Sequence, residues 1–227
     1  MSYLRFEHLV TAIMLAFMLV ACGGSGGNSD NSSTSNIPSG QFDLVDYYFN
    51  ETLSVVSNSV SYTVNLYDSL DGQQVFQDME KFEKTADDTI LWTSDDMPAS
   101  TFVITSATIE ETLHSDNDVL RILQRYVDVG TEYMNKTIDT LLGPQNTTCH
   151  VVDHLPAIDL GTLTGTFPLA TGIYTDVLEI KCVTSFVVQG TMQPHTNLTH
   201  YFARNVGVIF SEGLLFGLGN VYIVPSL

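Results

Sequence analysis

Four of the six histidines form two close pairs, His150 with His154 and His195 with His200. Imidazole is the commonest nitrogen ligand of zinc, so a metal centre is the first chemistry to weigh. A spacing of four suits a helix, but Val151, Val152 and Pro156 favour an extended chain. There, residues four apart share a face at a separation of roughly 13 Å, and residues five apart face opposite sides. A four-histidine centre would need a bend and convergence from elsewhere, so surface or sheet histidines are the plainer expectation. The acidic groups Asp87-Asp88, Asp95-Asp96 and Asp116-Asn117-Asp118 are of the kind that holds calcium weakly. None matches the D-x-[DN]-x-[DN]-G loop closed by a Glu, and a solvated edge that discourages strand association is their ordinary role. Glu110 and Glu111 have the types for acid and base, yet neighbours on a strand point to opposite faces.

Two glycine-rich stretches carry the letters of catalytic motifs without their context. Gly23-Gly24-Ser25-Gly26-Gly27 fits G-x-S-x-G, but that motif needs a strand before it and a helix after it. The stretch from Gly213 to Gly219 lacks both G-x-G-x-x-G and the basic residue of a P-loop, which leaves a hairpin or a bulge. No catalytic residue and no cofactor follow from the sequence, and no ligand-binding residue is assigned.

The elements that must position these residues are mostly strands. Val60, Tyr62, Val64 and Leu66 alternate with Ser61, Thr63 and Asn65, the pattern of a half-buried strand. A turn follows at Asp68-Ser69-Leu70-Asp71-Gly72. Further strands are expected at Phe102 to Ile109, Val119 to Val127, Cys149 to Asp153, Asp176 to Val188, Leu198 to Phe210 and Val221 to Val224, all rich in β-branched and aromatic residues. In Asp176 to Val188, Leu178, Ile180, Cys182, Phe186 and Val188 share one face while Glu179, Lys181 and Ser185 share the other, so one wall is wet. The expected fold is mostly all-β: an antiparallel meander forming a large curved sheet or a partly closed barrel. One or two short helices are also expected. Val75, Phe76, Met79 and Phe82 fit a helical stripe after an Asp71 cap, and Met134, Ile138, Leu141 and Leu142 fit another that stops at Gly143-Pro144.

Across 227 residues, 26 acidic side chains face 8 basic ones, a formal charge of −18. Such a surface repels polyphosphate, which excludes a nucleic-acid partner. A hydrophobic content of 44% with 15% charged residues is too apolar for a disordered chain and sufficient for one core. The acidic excess is concentrated between Asp43 and Asp139, with 19 acidic against 5 basic residues, whereas residues 140–227 hold 5 against 2.

Arg5 opens the chain, and Leu9 to Ala21 then runs uncharged with Thr11 as its only hydroxyl. That is a signal-peptide core, too short for the ~17 to 25 apolar residues of a membrane span. Leu19-Val20-Ala21-Cys22-Gly23 resembles the lipobox of bacterial lipoproteins. The resemblance implies cleavage after Ala21, acylation of Cys22 with palmitate-type chains, and a membrane as partner through that anchor. It also implies the outer rather than the inner membrane, because Gly23 stands where an Asp would favour inner-membrane retention. The divisions are a signal peptide over 1–21, a lipidated cysteine and flexible Gly/Ser/Asn tether over 22–40, and a single β domain over 41–227. An exported chain meets an oxidising compartment, so the two remaining cysteines, Cys149 and Cys182, are expected to pair.

The chain also resembles uncharacterised bacterial envelope lipoproteins and periplasmic β-sheet domains. The residues that carry this are Val129-Gly130-Thr131-Glu132-Tyr133, Tyr174-Thr175-Asp176-Val177-Leu178-Glu179-Ile180 and Tyr201-Phe202-Ala203-Arg204-Asn205-Val206-Gly207-Val208-Ile209. The resemblance implies a large antiparallel sheet with the last of these segments as a late strand, and no established activity. Three functions remain, in this order: a non-enzymatic binding or accessory module for an envelope partner or an apolar ligand; a half-barrel carrier of a lipid or hydrophobic ligand; and a histidine-dependent metalloenzyme. An apolar cavity would favour the second and convergent histidines the third.

Overall fold

The computed structural model describes residues 40–68, 73–114, 119–140, 143–163, 170–188, 191–215 and 219–226. The lipobox, the tether, Asp71, Asp116-Asn117-Asp118, and Leu141 and Leu142 lie outside the described residues. A short strand β1 (Phe42–Asp43) leads into helix α1 (Leu44–Tyr48) and a 3-10 turn (Glu51–Ser54). An antiparallel run then follows: β2 (Ser59–Asp68), β3 (Gln73–Ala86), β4 (Thr89–Ser94), β5 (Met97–Ile104), β6 (Thr108–Leu113) and β7 (Val119–Gln124). The short β8 (Tyr126–Val127) pairs with β1. The second run is β9 (Glu132–Thr140), β10 (Gly143–Asp159), a helical turn α2 (Leu160–Leu163), β11 (Ile173–Val188), β12 (Thr191–Ala203), β13 (Gly207–Leu215) and β14 (Gly219–Ser226).

These runs make one 12-stranded sheet in the order β7-β6-β5-β4-β3-β2-β14-β13-β12-β11-β10-β9. Pairing of β14 with β2 joins the two meanders, and the outer strands β7 and β9 lie against one another. The sheet is therefore a nearly closed barrel, as the alternating pattern predicts.

One end of the barrel is plugged. Asp43 caps α1 by accepting from the Val45 amide at 3.1 Å, and Arg125 grips the same carboxylate with Nη2 at 2.7 Å from Oδ2. Five residues cannot sustain a helix by local propensity; α1 is held by what it buries. Leu44, Tyr47, Tyr48 and Phe49 are all buried. Tyr48 stacks on Phe202 at 4.9 Å, and Phe49 meets Phe102 edge-on at 5.4 Å. Each such side chain contributes roughly 1.5–3 kcal/mol by leaving water. A second apolar cluster, including Tyr201, Phe210 and Leu160, covers part of the outer wall.

Several expected boundaries change. Phe102 to Ile109 is the end of β5, a turn and the start of β6; Thr105 Oγ1 accepts from the Thr108 amide at 2.8 Å, so the chain reverses without Gly or Pro. Tyr201 to Ile209, expected as one late strand, is a hairpin: Asn205 at φ 62 and Gly207 at φ 100 take the left-handed turn positions that those residue types tolerate. Both expected helical stripes are strands, β3 and β9. In β3 the reason is visible, because Val75 and Met79 face solvent while Asp78, Glu80 and Phe82 face inward. Gly213 is required where it stands. At φ 144 a Cβ would fall on the Asn197 carbonyl of the neighbouring strand.

Candidate functional site

Away from the plug, the inward face turns polar. Asp78 and Glu80 on β3, Ser94 on β4, Ser100 on β5, Glu111 on β6 and Arg121 on β7 are all buried. They form a belt from strand to strand. Glu80 is the register partner of Ser94, Trp92 of Ser100, and Glu111 of Arg121. Ser94 donates to Asp78 Oδ2 at 2.5 Å. Ser100 donates to Glu111 Oε1 at 3.0 Å, and Arg121 Nη1 stands 3.7 Å from Glu111 Oε2. Gln145, Thr147, Thr184, Thr196, His200 and Ser211 are the buried polar residues of the second meander.

The belt is under-satisfied. Asp78 Oδ1, Glu80 Oε1, Trp92 Nε1, Arg121 Nε and Nη1, and both amide atoms of Gln145 are buried without a hydrogen-bond partner. Among the described residues no Lys, Arg or His lies within ion-pair distance of Asp78 or Glu80. Burial accordingly holds the Glu80 carboxyl well above its ordinary range, with the Asp78 charge adding to it. Burial first, and then the adjacent Asp95 carboxyl, raise Asp78 to about 6. Glu111 is raised by burial despite Arg121 and Ser100.

The sequence candidates are dispersed. A bulge between Val151 and Asp153 shifts the alternation, so His150 and His154 do not share a face. His150 stands outward, 3.5 Å from Glu132. His154 sits at the plugged end with Nε2 2.7 Å from Asp176 Oδ1, an oxygen that also accepts from the Tyr47 hydroxyl of α1 at 2.6 Å. Arg204 bridges Asp176 and Asp46 there, so this cluster fastens the plug. His195 lies against the Phe186 ring at 4.5 Å, its pKa lowered by burial. His200 is fully buried, its Nδ1 2.8 Å from Ser211 Oγ, and burial pushes its pKa down to about 3. Among the described residues no three His, Cys, Asp or Glu side chains converge as a metal would need.

Cys149 and Cys182 are register partners and form a disulfide. Asp95 and Asp96 occupy the β4–β5 turn, both at positive φ, the backbone of a tight hairpin. Asp87-Asp88 lies in the turn between β3 and β4. Glu110 and Glu111 do face opposite sides, only Glu111 being buried. Of the belt residues the sequence singles out only Glu111, as half of a carboxylate pair. The signal for the others is inversion: in β7, Leu120 and Ile122 are exposed while Arg121 between them is buried.

Asp78 and His200 pull the pH dependence of stability in opposite directions. A raised carboxyl contributes stability fully below its unfolded pKa of 3.8, and this is lost as pH rises through about 6. A lowered imidazole contributes above 6.5, and this is lost as pH falls toward about 3. Asp78→Asn keeps an acceptor for Ser94 and removes the first contribution. The variant is expected to gain on wild type by on the order of 2 kcal/mol between pH 4 and pH 7.5, measured as denaturant midpoints at both pH values. A difference independent of pH would contradict the assignment.

No family model and no curated protein matches the chain in sequence. Two solved structures are similar to it in fold. One is a Bacteroides fragilis protein provisionally described as exported and YmcC-like in fold, at 8% identity and a TM-score of 0.45, covering 79% of this chain and 97% of its own. The other is a Parabacteroides distasonis protein provisionally described as a lipoprotein, at 7% identity and a TM-score of 0.46, with the same two coverages of 79% and 97%.

Proposed function

We propose that the chain is a lipid-anchored lipoprotein of the bacterial cell envelope acting as a non-enzymatic binding module, with the polar belt as the place where a small polar ligand is held. The observation that carries the binding reading is the set of buried, unpartnered atoms on Asp78, Glu80, Trp92, Arg121 and Gln145. Each hydrogen bond left unmade in a buried site costs ~1–3 kcal/mol, so a ligand that supplies the missing partners stabilises the fold. The anchor on Cys22, and the outer membrane as its destination, rest on the lipobox and on Gly23.

A carrier of apolar ligands has less support, because Leu44, Tyr48 and Phe49 already fill the apolar end of the interior. A metalloenzyme would need imidazoles that come together. An envelope protein partner has one observation in its favour, the exposed Met79, Met97, Leu120 and Ile122 on the outer wall.

Two experiments test the reading. Cells given a palmitate analogue are expected to label the chain, and Cys22→Ser to abolish the label and move the protein to the aqueous phase of a detergent partition; an unlabelled wild-type chain sinks the anchor. A thermal-shift panel of small neutral, anionic and cationic polar compounds is expected to contain one that raises the unfolding midpoint saturably, since ligand at a hundred times its Kd contributes about 2.7 kcal/mol. No response across the panel would remove the interior as a binding site.

A further inference from the structure

The two belt carboxylates with no Lys, Arg or His in ion-pair distance among the described residues, Asp78 and Glu80, share the inward face of β3 with aromatic residues. Glu80 lies between Tyr62 and Ser94 in register, and Phe82 is the next inward residue of β3. Phe82 stacks parallel to Trp92 with centroids 5.8 Å apart and meets Tyr62 edge-on at 6.3 Å. Asp78, the preceding inward residue, presents the unpartnered Oδ1 on the same face. Buried Glu80 Oε1 and Asp78 Oδ1 without a hydrogen-bond partner, on a face that also carries Tyr62, Phe82 and Trp92, match a group that is at once a cation, a hydrogen-bond donor and attached to an apolar body.

We infer that the Asp78–Glu80 end of the belt binds the head group of a small primary amine, with Glu80 and Asp78 accepting from the ammonium and Tyr62, Phe82 and Trp92 enclosing its alkyl part. This deepens the binding reading above and rests on it. A divalent metal fits less well. Calcium asks for 6–8 oxygens and magnesium for an octahedron of them, whereas the residues paired with Glu80 and Phe82 across β2 and β4 include Tyr62 and Trp92. The Arg121 end is different in kind, because Glu111 already balances its charge. Selectivity follows from the donors required: a quaternary ammonium lacks N–H groups for Glu80, and a neutral alcohol lacks the charge.

Trp92 is the only tryptophan in the chain, so its emission reports on this site alone. The mature protein is titrated with n-butylammonium chloride, with potassium chloride at matched ionic strength and with 1-butanol. A saturable change in Trp92 emission is expected with butylammonium and with neither control. Glu80→Gln and Asp78→Asn should each weaken binding at least tenfold, while Glu83→Gln, on the opposite face of β3, leaves it unchanged. Because burial holds the Glu80 carboxyl well above its ordinary range in the free protein, binding near neutral pH should release a proton, read as a heat that differs between buffers of different ionisation enthalpy. Absence of a saturable response, an equal response to potassium, or a folded Glu80→Gln that binds as tightly as wild type would each overturn the amine. If butylammonium fails while another compound raises the unfolding midpoint, only the amine assignment falls; if every compound fails, the binding reading falls with it.

Discussion

Glu111→Ala is expected to destabilise the protein by about 3 to 5 kcal/mol, whereas Arg121→Ala should cost clearly less at pH 6. The asymmetry comes from proton chemistry rather than from the contact, which is only 3.7 Å at its nearest and has both side chains 2% exposed. Without Glu111 the guanidinium stays charged, since it does not deprotonate in proteins, and its Nε and Nη1 are already without hydrogen-bond partners. Without Arg121 the remaining carboxyl takes up a proton, a change that burial favours in this position, and Ser100 keeps its hydrogen bond. The cost of Arg121→Ala should therefore grow as pH rises, and that of Glu111→Ala should not fall. Replacing both, as Glu111→Leu with Arg121→Met, removes two desolvated charges at similar volume and is expected to be near neutral or stabilising. Chemical denaturation of the three variants at pH 6 and pH 8 measures this. Equal single costs that add in the double variant would show that the pair is not an uncompensated buried charge.

That buried pair also explains what the sequence made legible. Alternation in Val60 to Leu66 reads correctly as β2 because its inward set is apolar. In β3 the inward set begins Phe76, Asp78, Glu80, while Val75 and Met79 are outside. Counting hydrophobic residues then couples positions 75, 76, 79 and 82 into a helical stripe that exists on no helix. Periodicity detects an element only when burial and hydrophobicity coincide, and in the belt they part. The same inversion hid the site, since closure of the sheet places the charged Asp78, Glu80, Glu111 and Arg121 inside, where alternation expects apolar residues. The overall antiparallel architecture survived because most strands obey the ordinary rule. The hairpin at Arg204 to Gly207 was lost for another reason: its turn residues sit inside a run of Val, Ile, Phe and Tyr that local propensity extends without a break. Helix α1 had no signal of its own, being five residues whose helical form depends on the barrel end they seal.

Loss of the Cys149–Cys182 bridge is expected to cost about 3 to 4 kcal/mol, because the closed segment of 33 residues confines the unfolded chain. The consequence should reach further than the two strands. Cys149 is fully buried and Cys182 nearly so. The Tyr133 hydroxyl is 4.0 Å from Cys182 Sγ and 2.6 Å from the Tyr48 hydroxyl of the plug. The bridge thus stands directly behind the residue pair that fixes α1 from the β9 side, while Asp176 holds Tyr47 from the other. In Cys149→Ala/Cys182→Ala the Tyr48 and Phe49 amides should exchange with deuterium faster than in wild type, in addition to a lower denaturant midpoint for the whole domain. Amides of β4 and β5, on the far side of the barrel, should follow the global change and no more. Burial makes a further demand: intact native protein should resist dithiothreitol until denaturant opens the sheet, since a thiolate must reach the sulfur it attacks. A double variant with an unchanged midpoint, or a bridge reduced at once in native protein, would mean that Cys149 and Cys182 neither confine the unfolded chain nor lie within the packed interior behind the plug.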